Sequence, residues 1–143
     1  MSSFEEILRR EGTLVYKTRG TSMEPLLRQD RDLVIIRAPE ARLKKGDVAL
    51  YRRGESYVLH RVMSVSDTRV ELMGDGNVAG REICRPEDVL ARADEVVGPD
   101  GRHRRLDTPK QRRRARLWRR LLPVRRWILA VYKRTIIRNL DIQ

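Results

Sequence analysis

The chain has 143 residues, with 32 Lys and Arg, 20 Asp and Glu, one Cys and 40% hydrophobic residues. That is enough for one domain with one core, and too apolar for wholesale disorder. The lone Cys84 excludes a disulfide framework, no Cys/His cluster offers a zinc site, and no metal or cofactor is expected. The net charge of +12 is unevenly spread: from Arg102 onward there are 15 basic and 2 acidic residues, whereas the first 101 residues hold 17 and 18. A near-neutral body (1–101) is therefore expected to carry a basic tail (102–143). No run of about 18 apolar residues suggests a membrane-spanning helix. The acidic start, Phe4-Glu5-Glu6, is unlike a signal peptide, so a cytoplasmic location is expected.

Ser3 is a candidate N-cap for a short helix with Glu5 and Glu6 in its first turn and Gly12 at its end. Thr13 to Thr18 reads as a strand, and Arg19 to Pro25 as a loop bordered by Gly20 and Pro25. Further strands are expected at Leu33–Ile36, Val48–Tyr51, Tyr57–Val65, Val70–Met73 and Val89–Val97. Turns at Leu43–Asp47, Arg52–Glu55, Ser66–Thr68 and Gly74–Asn77 separate several of them, and Asp47 is placed to hold the Lys45-Gly46 turn. Strands at roughly ten-residue spacing predict a mainly β body of meander or coiled-sheet type. Cys84 reads as a half-buried core residue. From Thr108-Pro109, an N-cap followed by Pro at the first helical position, the period becomes helical, and Pro123 divides the tail into two pieces.

Four short segments carry the candidate chemistry: Gly20-Thr21-Ser22-Met23-Glu24-Pro25, Gly46-Asp47-Val48, Leu59-His60-Arg61-Val62 and Gly74-Asp75-Gly76-Asn77. Each alone is a common turn or strand sequence. In this order they resemble the boxes of type I signal peptidases and of the related self-cleaving, LexA-type repressor peptidases. The resemblance covers Thr18 to Val97. It implies a coiled β-sheet fold, a serine endopeptidase activity on peptide or precursor substrates, Ser22 as nucleophile and His60 as general base. His60 stands where bacterial signal peptidases carry Lys and the endoplasmic-reticulum type carries His.

The chemistry is consistent with that assignment. A serine hydroxyl needs a neighbouring base to become a nucleophile, and neutral histidine, with a pKa of about 6.5, is one at pH 7. The resemblance also implies Asp75 as the group that orients His60; the competing reading is that Asp75 shapes its turn. Arg61 alternates to the opposite strand face and reads as structural. An oxyanion hole is expected from the Ser22 amide, with Thr21 as a further candidate, because Gly20 stands where some relatives carry a second hydroxyl. Met23 is expected to shape the nucleophile loop and line the substrate groove.

The basic tail has three readings. Trp118, Trp127, Arg119, Arg120, Arg125 and Arg126 can face an anionic membrane surface. The arginine cluster can bind nucleic acid, as a regulatory module of the repressor type would require. Alternatively the helices pack on the body or on a second subunit and solvate their charges. Two tryptophans amid the arginines favour the membrane interface.

Overall fold

The computed structural model describes residues 4–17, 23–24, 26–28, 31–38, 42–77 and 80–141, with backbone alone at Phe4 and 136–141. Helix α1 (Phe4–Glu11) has Glu5 and Glu6 in its first turn and Arg9 and Arg10 in its last, the order that complements a helix dipole. Gly12, at φ +77°, closes it, and its N–H donates to the Leu8 carbonyl at 2.8 Å. The expected cap, Ser3, lies outside the described residues.

Among the described residues eight strands follow: β1 (Thr13–Lys17), β2 (Leu33–Arg37), β3 (Val48–Arg53), β4 (Ser56–Val65), β5 (Val70–Met73), β6 (Glu82–Cys84), β7 (Val89–Val97) and β8 (His103–Arg105). They form one antiparallel sheet in the order β1-β2-β7-β3-β4-β5-β6. Strand β8 pairs the second half of β7, Val97 opposite His103, where β3 has ended. The strand lies just beyond the change in charge at Arg102, so the sheet runs further than composition suggested and helix begins only at Pro109. Register shifts at Ile35/Ile36, Leu50/Tyr51 and Val62/Ser64 add local twist, and the sheet curls into a half-barrel.

Alternation along the strands divides the apolar residues between the two faces. Val48, Leu50 and Leu59 join Leu8, Leu27, Val34, Ile36 and Ala93 in one cluster, while Ala49, Tyr51, Val62, Val70 and Leu72 form a second. Both faces are covered in the middle of the sheet, so Val48–Tyr51 is continuously buried.

Helix α2 (Pro109–Arg120) starts as the sequence predicts: Thr108 Oγ1 accepts from the Gln111 amide at 3.2 Å, with Pro109 in the first turn. A 3-10 turn at Leu122–Val124 contains Pro123, and α3 (Arg125–Asp141) follows. Ala115 and Leu129 are buried, so the helices pack against protein rather than trailing away from it. Among the described residues no helix is long and apolar enough to cross a membrane.

Candidate functional site

Strand β4 presents His60 and Arg61 to opposite faces. Arg61 is 7% exposed, a costly position for a guanidinium unless its donors are satisfied. Its Nε donates to Asp75 Oδ1 at 2.8 Å, its Nη2 to Asp75 Oδ2 at 2.5 Å, and its Nη1 to the Gly46 carbonyl at 2.9 Å. Burial works against the Arg61 charge, but Asp75 outweighs it and raises the pKa. The turn that supplies Gly46 is held as expected: Asp47 Oδ2 accepts from the Lys44 amide at 2.8 Å. Backbone bonds from Gly46 N to Val62 O (2.9 Å) and from Val62 N to Asp47 O (2.7 Å) tie this turn to β4. Three segments on successive hairpins, Gly46-Asp47, His60-Arg61 and Gly74–Asn77, therefore meet around one side chain.

The second face carries His60, 5% exposed. Its Nδ1 lies 3.2 Å from Tyr51 Oη on the neighbouring strand β3. The Tyr51 hydroxyl donates to Glu82 Oε2 at 2.5 Å, and Glu82 also pairs with Arg53. Glu82 reaches this face because it stands opposite Leu72, whose side chain packs there with Tyr51. Since the tyrosine proton points at Glu82, the histidine contact requires Nδ1–H to donate to Tyr51 Oη. That assignment leaves the lone pair on Nε2.

Burial and the surrounding charges set the protonation state of each group. Burial pushes the His60 pKa down; Arg53 adds to the effect while Glu82 and Asp75 oppose it. The imidazole is thus neutral at pH 7. Burial and the bond to Glu82 push the Tyr51 phenol far up, so it stays protonated. Burial opposes the Glu82 charge, but Tyr51 and Arg53 together hold its pKa below the usual range. Cys84 lies half-buried beside this cluster, as expected, with its thiol pushed up to about 11, chiefly by burial. At neutral pH it is a thiol and not a nucleophile.

Of the sequence candidates, Gly20, Thr21 and Ser22 lie outside the described residues. Met23 is 4% exposed and sits in the first core cluster with Leu27, Val48 and Leu59. Its contribution is to anchor the segment that follows Ser22. The structure gives the Asp75 carboxylate to Arg61 and the His60 Nδ1 to Tyr51. Strand alternation separates the two pairs, because Arg61 and His60 are neighbours on β4. Tyr51 and Glu82 carry no local motif; only sheet pairing joins them, and sequence reasoning passed over both.

The basic helices are part of the same construction. The Trp118 indole N–H donates to the Asp75 carbonyl at 2.9 Å, and Arg125 Nη1 donates to the Asn77 carbonyl at 3.2 Å. Arg125 is 1% exposed; it also donates to the Trp118 carbonyl at 2.9 Å and lies 4.9 Å above the Trp118 ring. Arg112 pairs with Asp47 at 2.9 Å. Trp118 and Arg125, expected at a membrane or partner surface, are thus engaged within the molecule and brace the Gly74–Asn77 turn. Arg120, Arg126 and Trp127 are exposed, and Arg119 is half-buried.

No protein-family model matches this chain, and no curated protein matches it. The site therefore stands on its own geometry.

Proposed function

We propose that this protein is a serine endopeptidase of the signal-peptidase type, built on that family's coiled sheet, acting on peptide or precursor substrates. In this reading Ser22 attacks the scissile carbonyl and His60 takes the hydroxyl proton. The carbonyl carbon becomes tetrahedral, and collapse expels the amine leaving group, which receives the proton from His60. Water then hydrolyses the acyl-enzyme by the same proton relay in reverse order.

The observation that carries the reading is the convergence at Arg61. One buried guanidinium joins the Gly46 carbonyl to Asp75, gathering three of the four family-like boxes across two successive hairpins. The remaining box, Gly20–Pro25, enters through Met23, which shares a core cluster with Val48 and Leu59. His60 suits the role of base: it is neutral at pH 7, and Tyr51 holds its Nδ1, leaving Nε2 as the basic nitrogen. Tyr51, backed by Glu82, is the orienting group in this mechanism. Asp75 serves Arg61.

The outer side of the helices supports work at an anionic membrane surface. Leu117, Val124, Trp127 and Val131 are all exposed among arginines, and Arg126 covers the Trp127 ring at 4.9 Å.

The test is reaction of the full chain with a serine-directed acylating probe, mapped by mass spectrometry. Labelling is expected at Ser22 and is lost in Ser22→Ala and in His60→Ala. Labelling that survives unchanged in His60→Ala, or that falls only on other residues, overturns the mechanism.

A further inference from the structure

A separate feature lies where α2 passes the Lys45 turn and the start of β6. An open pocket of about 410 Å³ is lined by Lys45, Met63, Arg81, Arg116, Arg119 and Arg120. Among the described residues, five of these six are cations and no acid lines the pocket. Among the described residues, Lys45, Arg116, Arg119 and Arg120 have no ion-pair partner, and Arg81 reaches Glu71 only at 3.5 Å. The buried Nη1 of Arg119 finds no hydrogen-bond partner either.

Such an arrangement is unfavourable by itself. Arg116 and Arg120 stand four residues apart on one helix face, where like charges repel. Burial lowers the Arg119 pKa, and the nearby charges of Arg61, Arg116, Arg112 and Arg120 lower it further. The dipole of α2 favours cations in its last turn, which accounts for Arg119 and Arg120. It does not account for Lys45 and Arg81, which the body brings to the same pocket from two other segments. Guanidinium groups converging on a concavity from several directions match the oxygens of a compact phosphate group, which offers acceptors on all sides. An extended duplex would instead call for a stripe of charge along a convex surface.

We infer that the Lys45, Arg81, Arg116, Arg119 and Arg120 pocket is a binding site for a compact, multiply charged phosphate group, carried either by a lipid headgroup or by a free polyphosphate. None of these residues belongs to the proposed catalytic pair, so the inference stands or falls apart from the peptidase reading.

Two arms of one experiment separate the sources. The full chain is titrated calorimetrically with inositol hexakisphosphate, and is co-sedimented with phosphatidylcholine vesicles containing phosphatidylinositol bisphosphate. The comparison vesicles contain phosphatidylserine at equal total charge. Saturable binding in either arm is expected, weakened at least about tenfold by the Arg116→Glu/Arg120→Glu double variant. Both side chains are exposed, so the fold tolerates the change, and Arg81→Ala tests the body side of the pocket independently. Binding of the soluble ligand alone identifies a free anion; preference for bisphosphate vesicles identifies a headgroup.

A control double variant, Arg126→Glu/Arg134→Glu, makes the same change in charge outside the pocket and is expected to leave the affinity for inositol hexakisphosphate nearly intact. Equal losses in the two double variants would overturn the site in favour of diffuse attraction. Absence of saturable binding in both arms would also overturn it, as would a DNA duplex that binds more tightly than the polyphosphate.

Discussion

Arg61 and Asp75 meet side-on, Nε to Oδ1 at 2.8 Å and Nη2 to Oδ2 at 2.5 Å, with both side chains less than a tenth exposed. Neutralising one partner of such a pair leaves the other charge buried and uncompensated, at a cost of about 3–5 kcal/mol. Asp75→Asn is accordingly expected to lower the midpoint of urea unfolding strongly. Should Asp75→Asn unfold with the wild type and lose only reactivity at Ser22, Asp75 would return to the role of orienting His60.

Tyr51 and His60 give the second expectation. Tyr51→Phe removes the acceptor that holds Nδ1–H while keeping the ring in the core. The rate of Ser22 acylation should fall by about tenfold, which corresponds to about 1.4 kcal/mol. Glu82→Gln should give a smaller loss, because Tyr51 retains an acceptor there. Stopped-flow measurement of labelling checks both, and an unchanged rate in Tyr51→Phe would remove the tyrosine from the mechanism.

Histidine 60 should leave a mark on stability as a function of pH. Its folded pKa lies below the unfolded value of about 6.5, so in that interval the unfolded chain binds more protons than the folded one. Stability from this residue is complete above the unfolded pKa and declines as pH falls through it toward the folded value. Unfolding free energies at pH 7 and pH 5 should differ more for the wild type than for His60→Gln. The same titration should remove reactivity on the acid side, since protonation occupies Nε2.

At Gly46 the Lys45 turn meets both Arg61 and α2. It has φ +97°, and a Cβ there would stand 2.6 Å from Arg119 Nη1. Gly46→Ala should destabilise the fold by about 1–2 kcal/mol, the cost of forcing an L side chain into left-handed backbone. It should also displace Arg119. Thermal unfolding reads the first effect, and the polyphosphate titration reads the second.

Trp118 tests whether the helices brace the body. Trp118→Phe keeps an aromatic ring under Arg125 but removes the donor to the Asp75 carbonyl. A loss of about 0.5–1.5 kcal/mol is expected. Hydrogen exchange should rise at the Gly74–Asn77 amides, and exchange unchanged there would show that α2 does not restrain the turn.

Much of the architecture was readable from local chemistry. Gly12 ends α1, and Thr108-Pro109 starts α2, because caps and helix termination depend on a few adjacent residues. The strand order was not readable, since β2 lies beside β7 and β7 beside β3 through pairings that no neighbouring residue encodes. Strand β8 was hidden for the same reason: His103-Arg104-Arg105 has no apolar alternation and is a strand only because β7 offers it an unpaired edge.

The site divides along the same line. His60 and Arg61 stand out in sequence, and alternation along a strand already sends them to opposite faces. Their partners were left to packing. A curled sheet carries Glu82 to Tyr51, and Tyr51 to His60, across strand pairs rather than along the chain. Folding back of the basic tail turns Trp118 and Arg125 from surface candidates into braces for the Gly74–Asn77 turn. Residue type and spacing specify which groups can do chemistry and where a helix or strand begins. Which group touches which depends on register and burial, and these exist only when distant segments are packed together.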